Sequence, residues 1–350
     1  MKKILLATTV LSMSAGFAAA DVSVSGSARM GVVSTDGTSV FSSRVRMKFS
    51  GSGTTDGGLA FGGSFSAHDT AGANSGTAGS TYISGAFGKI SMGDVDSGDK
   101  AAVGQIDGGV GYTGLKSFNS ISYAADGGLN NDWEKAFGKD AVSAPGAKVL
   151  YTYSANGMSI SASSSQIGGN ASSYGVGASY SAGAVTVGLG YGAADVTIAD
   201  FVGDEDDETD DISFAASATD VSASVAYTMG TTTVKAIYQD SQLDLTATDF
   251  EDVSVDYSLM NAVSTGVSVK NTNGALSLTG YAITTKFESD LAPGKSLSAN
   301  RYGIGATYDL GGGATLGAGW VHNEAVAAKG EDSFKVKEVD AFDAGINFSF

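Results

Sequence analysis

Apolar and polar side chains alternate with a period of two from one end of the chain to the other, and the connections between alternating segments fall into a short and a long class. Beyond residue 20 no apolar run approaches the roughly 20 residues that a membrane helix needs. Together these observations predict an all-β chain: a transmembrane antiparallel up-and-down β-barrel of about sixteen strands.

Composition agrees with this class and excludes others. The 350 residues include 50 Gly, 2 Pro and no Cys, and 16% are charged, against about 25% in a typical soluble domain. The hydrophobic share is still 42%, and the 14 Tyr and 16 Phe argue against disorder. Without Cys there is no disulfide scaffold, thiolate zinc site, iron–sulfur cluster or cysteine nucleophile. Residues 1–20 read as a cleaved secretory signal peptide: Lys2 and Lys3, an apolar stretch over 4–11, then Ala18-Ala19-Ala20 before Asp21. The remaining 21–350 read as one barrel domain. Removing the two signal-peptide lysines takes the formal net charge from −17 to −19. Such a field repels phosphate backbones, so no nucleic acid is expected as a partner.

The strands follow in order. In the first, Val22, Val24, Ala28, Met30 and Val32 take one side, and Asp21, Ser23, Ser25, Ser27 and Arg29 the other. In the second, Phe41, Val45, Met47 and Phe49 oppose Ser42, Arg44, Arg46, Lys48 and Ser50. Leu59, Phe61, Phe65 and Ala67 then oppose Ser64, Ser66 and His68, and Tyr174, Val176, Ala178 and Tyr180 oppose Ser173, Gly175, Gly177 and Ser179. The series continues with Val185 to Tyr191, Val221 to Tyr227 and Tyr302 to Tyr308, and ends with Phe342, Ala344, Ile346, Phe348 and Phe350.

Short turns are expected at Gly88-Lys89, Asn156-Gly157, Ala182-Gly183, Thr272-Asn273-Gly274 and Gly311-Gly312-Gly313, and long polar connections at 71–80, 96–146, 194–211, 241–252, 287–300 and 324–337. A soluble β-protein is the rival reading. Against it, one face is aromatic or β-branched in nearly every strand. Tyr also recurs near strand ends (Tyr151, Tyr153, Tyr174, Tyr180, Tyr191, Tyr227, Tyr238, Tyr302, Tyr308), where a membrane interface places it.

The chain has four Arg, at 29, 44, 46 and 301, all on the polar face. On the lipid face each would cost roughly 2 to 4 kcal/mol, so this placement points to a lumen. Arg29, Arg44, Arg46 and Lys48 lie on the first two strands and form a basic patch, which His68 and Lys148 extend. The connection 96–146 is too long to be ordinary. Asp94, Asp96, Asp99 and Asp107 stand near its start. A connection of this length in a closed barrel either projects outward or folds into the lumen. Folded inward, its carboxylates would confront the basic patch across a constriction, the kind of arrangement that sets selectivity. By count the two charge sets nearly balance, which predicts a weak cation preference, with the external acids tipping it at low salt.

The blocks Gly-Ser-Ala-Arg-Met-Gly (26–31), Phe-Ser-Ser-Arg-Val-Arg (41–46), Gly-Thr-Thr-Asp-Gly-Gly-Leu-Ala-Phe-Gly (53–62), Gly-Ala-Phe-Gly-Lys-Ile-Ser-Met-Gly-Asp (85–94), Val-Gly-Tyr-Thr (110–113), Leu-Tyr-Thr-Tyr-Ser (150–154) and Gly-Ala-Thr-Tyr-Asp-Leu-Gly-Gly-Gly-Ala (305–314), with terminal Phe350, resemble the general porins of purple-bacterial, alphaproteobacterial type. The resemblance spans 21–350 and is weakest over about 194–260. It implies a sixteen-stranded homotrimer in the outer membrane of a Gram-negative bacterium, a third loop folded into the lumen, arginines opposite it, and passive diffusion of small hydrophilic solutes and ions. Arg29, Arg44 and Arg46 match the family's basic wall, and Asp94 matches the first acid of its third loop. Where such porins are dense in acids this chain has Lys100, Gln105, Asp107 and Gly108, and 116–146 reads as an extra excursion.

The densest charge run, Asp-Glu-Asp-Asp-Glu-Thr-Asp-Asp over 204–211, reads as a solvated external loop. The alternative is divalent cations bridging it to lipopolysaccharide, with calcium the candidate ion. No other cofactor is expected. A passive channel is the first functional reading, and an outer-membrane lipase or protease is the second. The second lacks a nucleophile with an orienting base, since His68 has no partner signature and His322 sits beside Trp320 on the apolar side. A solute-specific channel or an adhesin is the third; an aromatic track inside the lumen would favour the former.

Overall fold

A strand that is apolar on one face and polar on the other can satisfy lipid and water together when the sheet closes on itself, because closure also removes unpaired edges. The computed structural model describes residues 21–350 apart from 71–72, 107, 109–119, 128–145, 166–170, 199–212, 249–253 and 331. The expected signal peptide, the acidic run 204–211 and Asp107 lie outside the described residues.

Sixteen strands form the wall: β1 (Asp21–Thr35), β2 (Thr38–Thr54), β3 (Ala60–Thr70), β4 (Ala73–Gly85), β5 (Gly88–Gly93), β6 (Val149–Ala155), β7 (Met158–Ser164), β8 (Ala171–Ala182), β9 (Val185–Ile198), β10 (Ser213–Met229), β11 (Thr232–Thr248), β12 (Ser254–Asn273), β13 (Leu276–Glu288), β14 (Lys295–Gly311), β15 (Ala314–Lys329) and β16 (Asp332–Ser349). Each pairs antiparallel with its neighbours in sequence, and β16 pairs with β1 to close the barrel. A short helix α1 (Gly98–Val103) and a 3-10 turn (Ala124–Asp126) lie in the connection between β5 and β6.

The apolar sides of the strands point outward. Phe41 is 92% exposed, and Met30, Phe65, Leu189, Val221 and Ile304 are exposed with it, as lipid-facing residues must be when the barrel stands alone. On β8 Tyr174 and Tyr180 bracket Val176 and Ala178, and on β14 Tyr302 and Tyr308 bracket Ile304 and Ala306. Six residues at about 3.3 Å each give an apolar band of roughly 20 Å along the strand between two tyrosine rings.

The turns between even and odd strands are tight. At Asn156-Gly157 the φ angles are 52° and 80°, the left-handed pair of a type I′ hairpin. Several turns sit one or two residues from their expected places, as at Ala86-Phe87 and Gly183-Ala184. The larger correction concerns four of the long connections. Residues 73–80 belong to β4, β11 runs to Thr248, β14 starts at Lys295, and β15 and β16 fill most of 324–337. Outside the lipid both faces meet water, so apolar alternation ends, but the backbone still gains by keeping its ladder partners. β12 reaches 20 residues, twice the roughly 9 to 11 that a bilayer requires.

The last residue extends the closing ladder beyond its nine β1–β16 pairs. Phe350 N–H donates to the Gly26 carbonyl at 2.9 Å, the Gly26 N–H donates back to the Phe350 carbonyl, and the Phe350 ring occupies the space a Cβ at Gly26 would take. Deleting Phe350 is expected to reduce severalfold the folded, heat-modifiable fraction recovered from membranes. An unchanged fraction on semi-native gels would show that closure does not need it.

Candidate functional site

The polar face of β1 and β2 brings the predicted basic residues together. Arg29 and Arg44 are directly opposed across the ladder, Arg46 stands opposite Ser27, and Lys48 opposite Ser25. The His68 backbone pairs with Arg46. Two guanidinium groups on one rung repel, and no described salt bridge neutralises Arg29, Arg44, Arg46 or Lys48. Asp343 is fully buried on the same face of the neighbouring strand β16. Lys148 is exposed at the start of β6, away from this rung.

The described parts of the 94–148 connection pack on the polar face of strands across the ring. Gly98 donates to Ser163 Oγ at 2.8 Å, and Ser161 Oγ donates to the Gly98 carbonyl at 2.6 Å. Ser224 Oγ and Lys235 Nζ donate to the Val103 carbonyl at 3.0 and 2.9 Å. The return limb, 120–127, is clamped to the outgoing one. Gln105 Nε2 donates to the Ile121 carbonyl and Ile121 N–H donates to Gln105 Oε1, both at 2.7 Å, while Tyr123 OH donates to the Gly104 carbonyl. Ala124 N–H donates to Asp220 Oδ1 at 2.7 Å, and Arg301 Nη1 donates to the Ser120 carbonyl at 2.8 Å. The connection thus touches β7, β8, β9, β10, β11 and β14. In a ring of sixteen, β1 and β9 stand diametrically opposite.

Two features let α1 approach so closely. Glycines on the polar face of β8 and β9 leave room: a Cβ on Gly177 would sit 2.5 Å from the Ala102 Cβ, and one on Gly190 would sit 2.8 Å from the Asp99 Cβ. Apolar residues supply adhesion, since Ile106 and Ile121 of the connection are buried with Ile237 of β11 and Ile283 of β13. Burying each contributes roughly 1.5 to 3 kcal/mol.

The predicted acids divide. Asp94 is exposed, and its N–H donates to the Gly79 carbonyl at 3.1 Å. Asp96 is exposed but bridges Lys100 at 2.7 Å, and Lys100 also bridges Asp126. Asp99 corrects the expectation of four acids facing the basic patch. It is fully buried, turned to the wall above Gly190 and Gly192, where its carboxyl crowds that of Asp220. Asp126 and Asp220 were not singled out from the sequence. A signal was present, since Asp220 is an acid on the polar side of a strand whose neighbours there are the small residues Ala218, Ser222, Gly192 and Ser241.

Burial raises the pKa of Asp99, and burial first, then the nearby acids, raises that of Tyr123. Burial opposes the charge on Lys100, but its hydrogen bonds to Asp126 and Asp96 outweigh it and hold the pKa up. A carboxyl raised in the docked state favours docking below its ordinary range and loses that contribution as pH rises through the raised value. Amide protection factors over 98–106 should therefore fall as pH rises above the ordinary carboxyl range. In Asp99→Asn they should stay level. A wild-type profile as flat as the variant's would contradict this.

Another cluster lies on the outer face. His322 stacks on Tyr302 with centroids 5.1 Å apart, and its Nδ1 lies 3.0 Å from Asp340 Oδ1 and its Nε2 3.6 Å from Glu338. Among the described residues these three bring candidate metal-ligand atoms within 4.8 Å of one another. Trp320 Nε1 donates to the same Asp340 at 3.1 Å.

Comparison with known proteins is consistent over nearly the whole chain. A family model described as Gram-negative porin matches residues 7–332. A porin of Rhodobacter capsulatus is 36% identical over 319 residues, covering 87% of this chain and 95% of that protein. A porin structure refined at 1.8 Å is similar over 94% of this chain and 100% of its own, with 30% identity and a TM-score of 0.63. The trimer form of OmpT of Vibrio cholerae matches 95% of this chain and 99% of its own at 16% identity, with a TM-score of 0.68, a likeness of fold.

Proposed function

Because the chain belongs to the Gram-negative porin family and is a general diffusion porin of the outer membrane, we propose that its passage narrows between the Arg29, Arg44, Arg46 and Lys48 wall and the connection docked on the opposite strands. The observation that supports this most is positional: the cationic rung on β1 and β2 and the docked α1 on β8 and β9 occupy opposite sides of one closed ring. Solutes move passively down their gradients, and the protein acts as a channel rather than an enzyme. Three copies associate, as in the trimeric relative, within outer-membrane lipid and lipopolysaccharide. Residues 1–20 direct export and are removed. Calcium bridging the acidic run 204–211 to lipopolysaccharide would show as chelator-dependent trimer stability.

The electrostatics favour anions rather than the weak cation preference that counting charges gives. Asp99 is withdrawn into the wall, and Asp96 and Asp126 are tied to Lys100, so Asp94 is the described loop acid left without a salt bridge. External acids more than about 8 Å from the path are screened at physiological ionic strength. The test is a planar bilayer. Detergent-extracted protein should give stable ohmic steps in KCl, with a reversal potential on the chloride side in a salt gradient. A water-soluble monomer without conductance would remove the reading.

A further inference from the structure

Between residues 120–124 and the polar face of β10 to β14 lies a cavity of about 340 Å³, at the low end of the roughly 300 to 1,000 Å³ typical of small-molecule sites. Its lining has two characters. Leu243 and Met260 oppose each other on β11 and β12, and Phe287 follows on β13, three apolar side chains on the inward face. Arg301 stands beside them on β14. Its Nη1 donates to the Ser120 carbonyl and its Nη2 to Thr285 Oγ1 at 3.2 Å. Its Nε is buried with no acceptor among the described residues, and no described carboxylate pairs with it. A half-buried guanidinium with no carboxylate partner among the described residues attracts an anion, and its N–H groups are charge-assisted donors that a carboxylate matches.

We propose that this cavity is a subsite for small organic anions that carry an apolar group, an arylalkanoate such as phenylacetate being the type. The carboxylate sits on Arg301, and the ring lies against Leu243, Met260 and Phe287. A solute held there waits beside the narrow part of the passage, which turns plain diffusion into facilitated entry for this chemical class. The inference rests on the channel reading and adds a solute preference to it.

The test uses the full-length protein in planar bilayers, with KCl current recorded as sodium phenylacetate, sodium acetate or benzylamine hydrochloride is added. Phenylacetate should block saturably, with a half-saturating concentration at least about tenfold below those of acetate and benzylamine, a difference of about 1.4 kcal/mol. Arg301→Gln should raise that concentration about tenfold or more. Because Arg301 also holds Ser120, Phe287→Ser and Leu243→Ser are the cleaner variants. They should weaken phenylacetate block and leave the response to acetate unchanged. Equal, unsaturable effects of the three probes on a conducting channel would overturn the subsite alone, as would unaltered phenylacetate block in Phe287→Ser. Absence of any KCl current in the wild type would overturn the channel reading and the subsite with it.

Discussion

Replacing Arg44 and Arg46 together by alanine moves the reversal potential in a KCl gradient toward potassium and raises the unitary conductance in the same recordings. Both effects come from one change: two cations without a salt bridge among the described residues, and two long side chains, leave the polar face of β2. A unit charge about 5 Å from an ion's path in water changes the ion's energy by roughly 0.8 kcal/mol, about fourfold in local concentration, and with opposite sign for cation and anion. Screening over a Debye length of about 8 Å reduces this, leaving an expected shift of at least about threefold in the potassium-to-chloride permeability ratio. Lowering the salt should enlarge the shift. A conductance that rises while the permeability ratio stays fixed would mean that these side chains narrow the passage without setting its field.

The second large effect is expected at Gly190→Val. A Cβ there would lie 2.8 Å from both the Asp99 Cβ and the Ser222 Oγ; the Ser222 hydroxyl can rotate away, whereas Asp99 can yield only if α1 moves. Overpacking of this kind costs roughly 1 to 3 kcal/mol. The β8 to β9 ladder does not depend on it, since the backbone pairing of Gly190 with Gly177 and Ser222 is untouched. Folded protein should therefore form at nearly normal yield, while α1 is pushed toward the centre of the passage, conductance falls and current noise increases. Gly51→Val, placed where a Cβ meets nothing within 4 Å, should conduct as the wild type does. Equal behaviour of the two variants would show that α1 does not rest on the glycine ladder.

The barrel itself was legible because a membrane wall imposes one rule on every strand, and residues such as Tyr302, Ile304, Ala306 and Tyr308 obey it with a period of two. Strand ends were not legible, since the rule lapses where both faces meet water and the ladder continues regardless, as β15 and β16 do. The docking of the connection was written in exceptions. Ile237, Tyr281 and Ile283 are large apolar residues on the polar face, and Gly177, Gly188, Gly190 and Gly192 are side-chain-free positions beside them; these depart from alternation where α1 and its neighbours are seated. The position of Asp99 could not be read from its own neighbours. Whether an acid in a loop faces water or a wall depends on contacts with β9 and β10, some ninety to one hundred and twenty residues away in sequence.

Whether ions pass directly beside Arg44 is tested most simply by chemistry at that position, because the chain has no Cys of its own. Arg44→Cys, reconstituted in a bilayer, is exposed to a cationic or an anionic methanethiosulfonate reagent while single-channel current and reversal potential are recorded. Ser43→Cys, on the outward face beside it, serves as the control. The expected result is a stepwise change in current at Arg44→Cys, with the cationic reagent restoring chloride preference, the anionic reagent driving the channel toward potassium, and neither affecting Ser43→Cys. Conducting Arg44→Cys channels whose current and reversal potential ignore both reagents would contradict it.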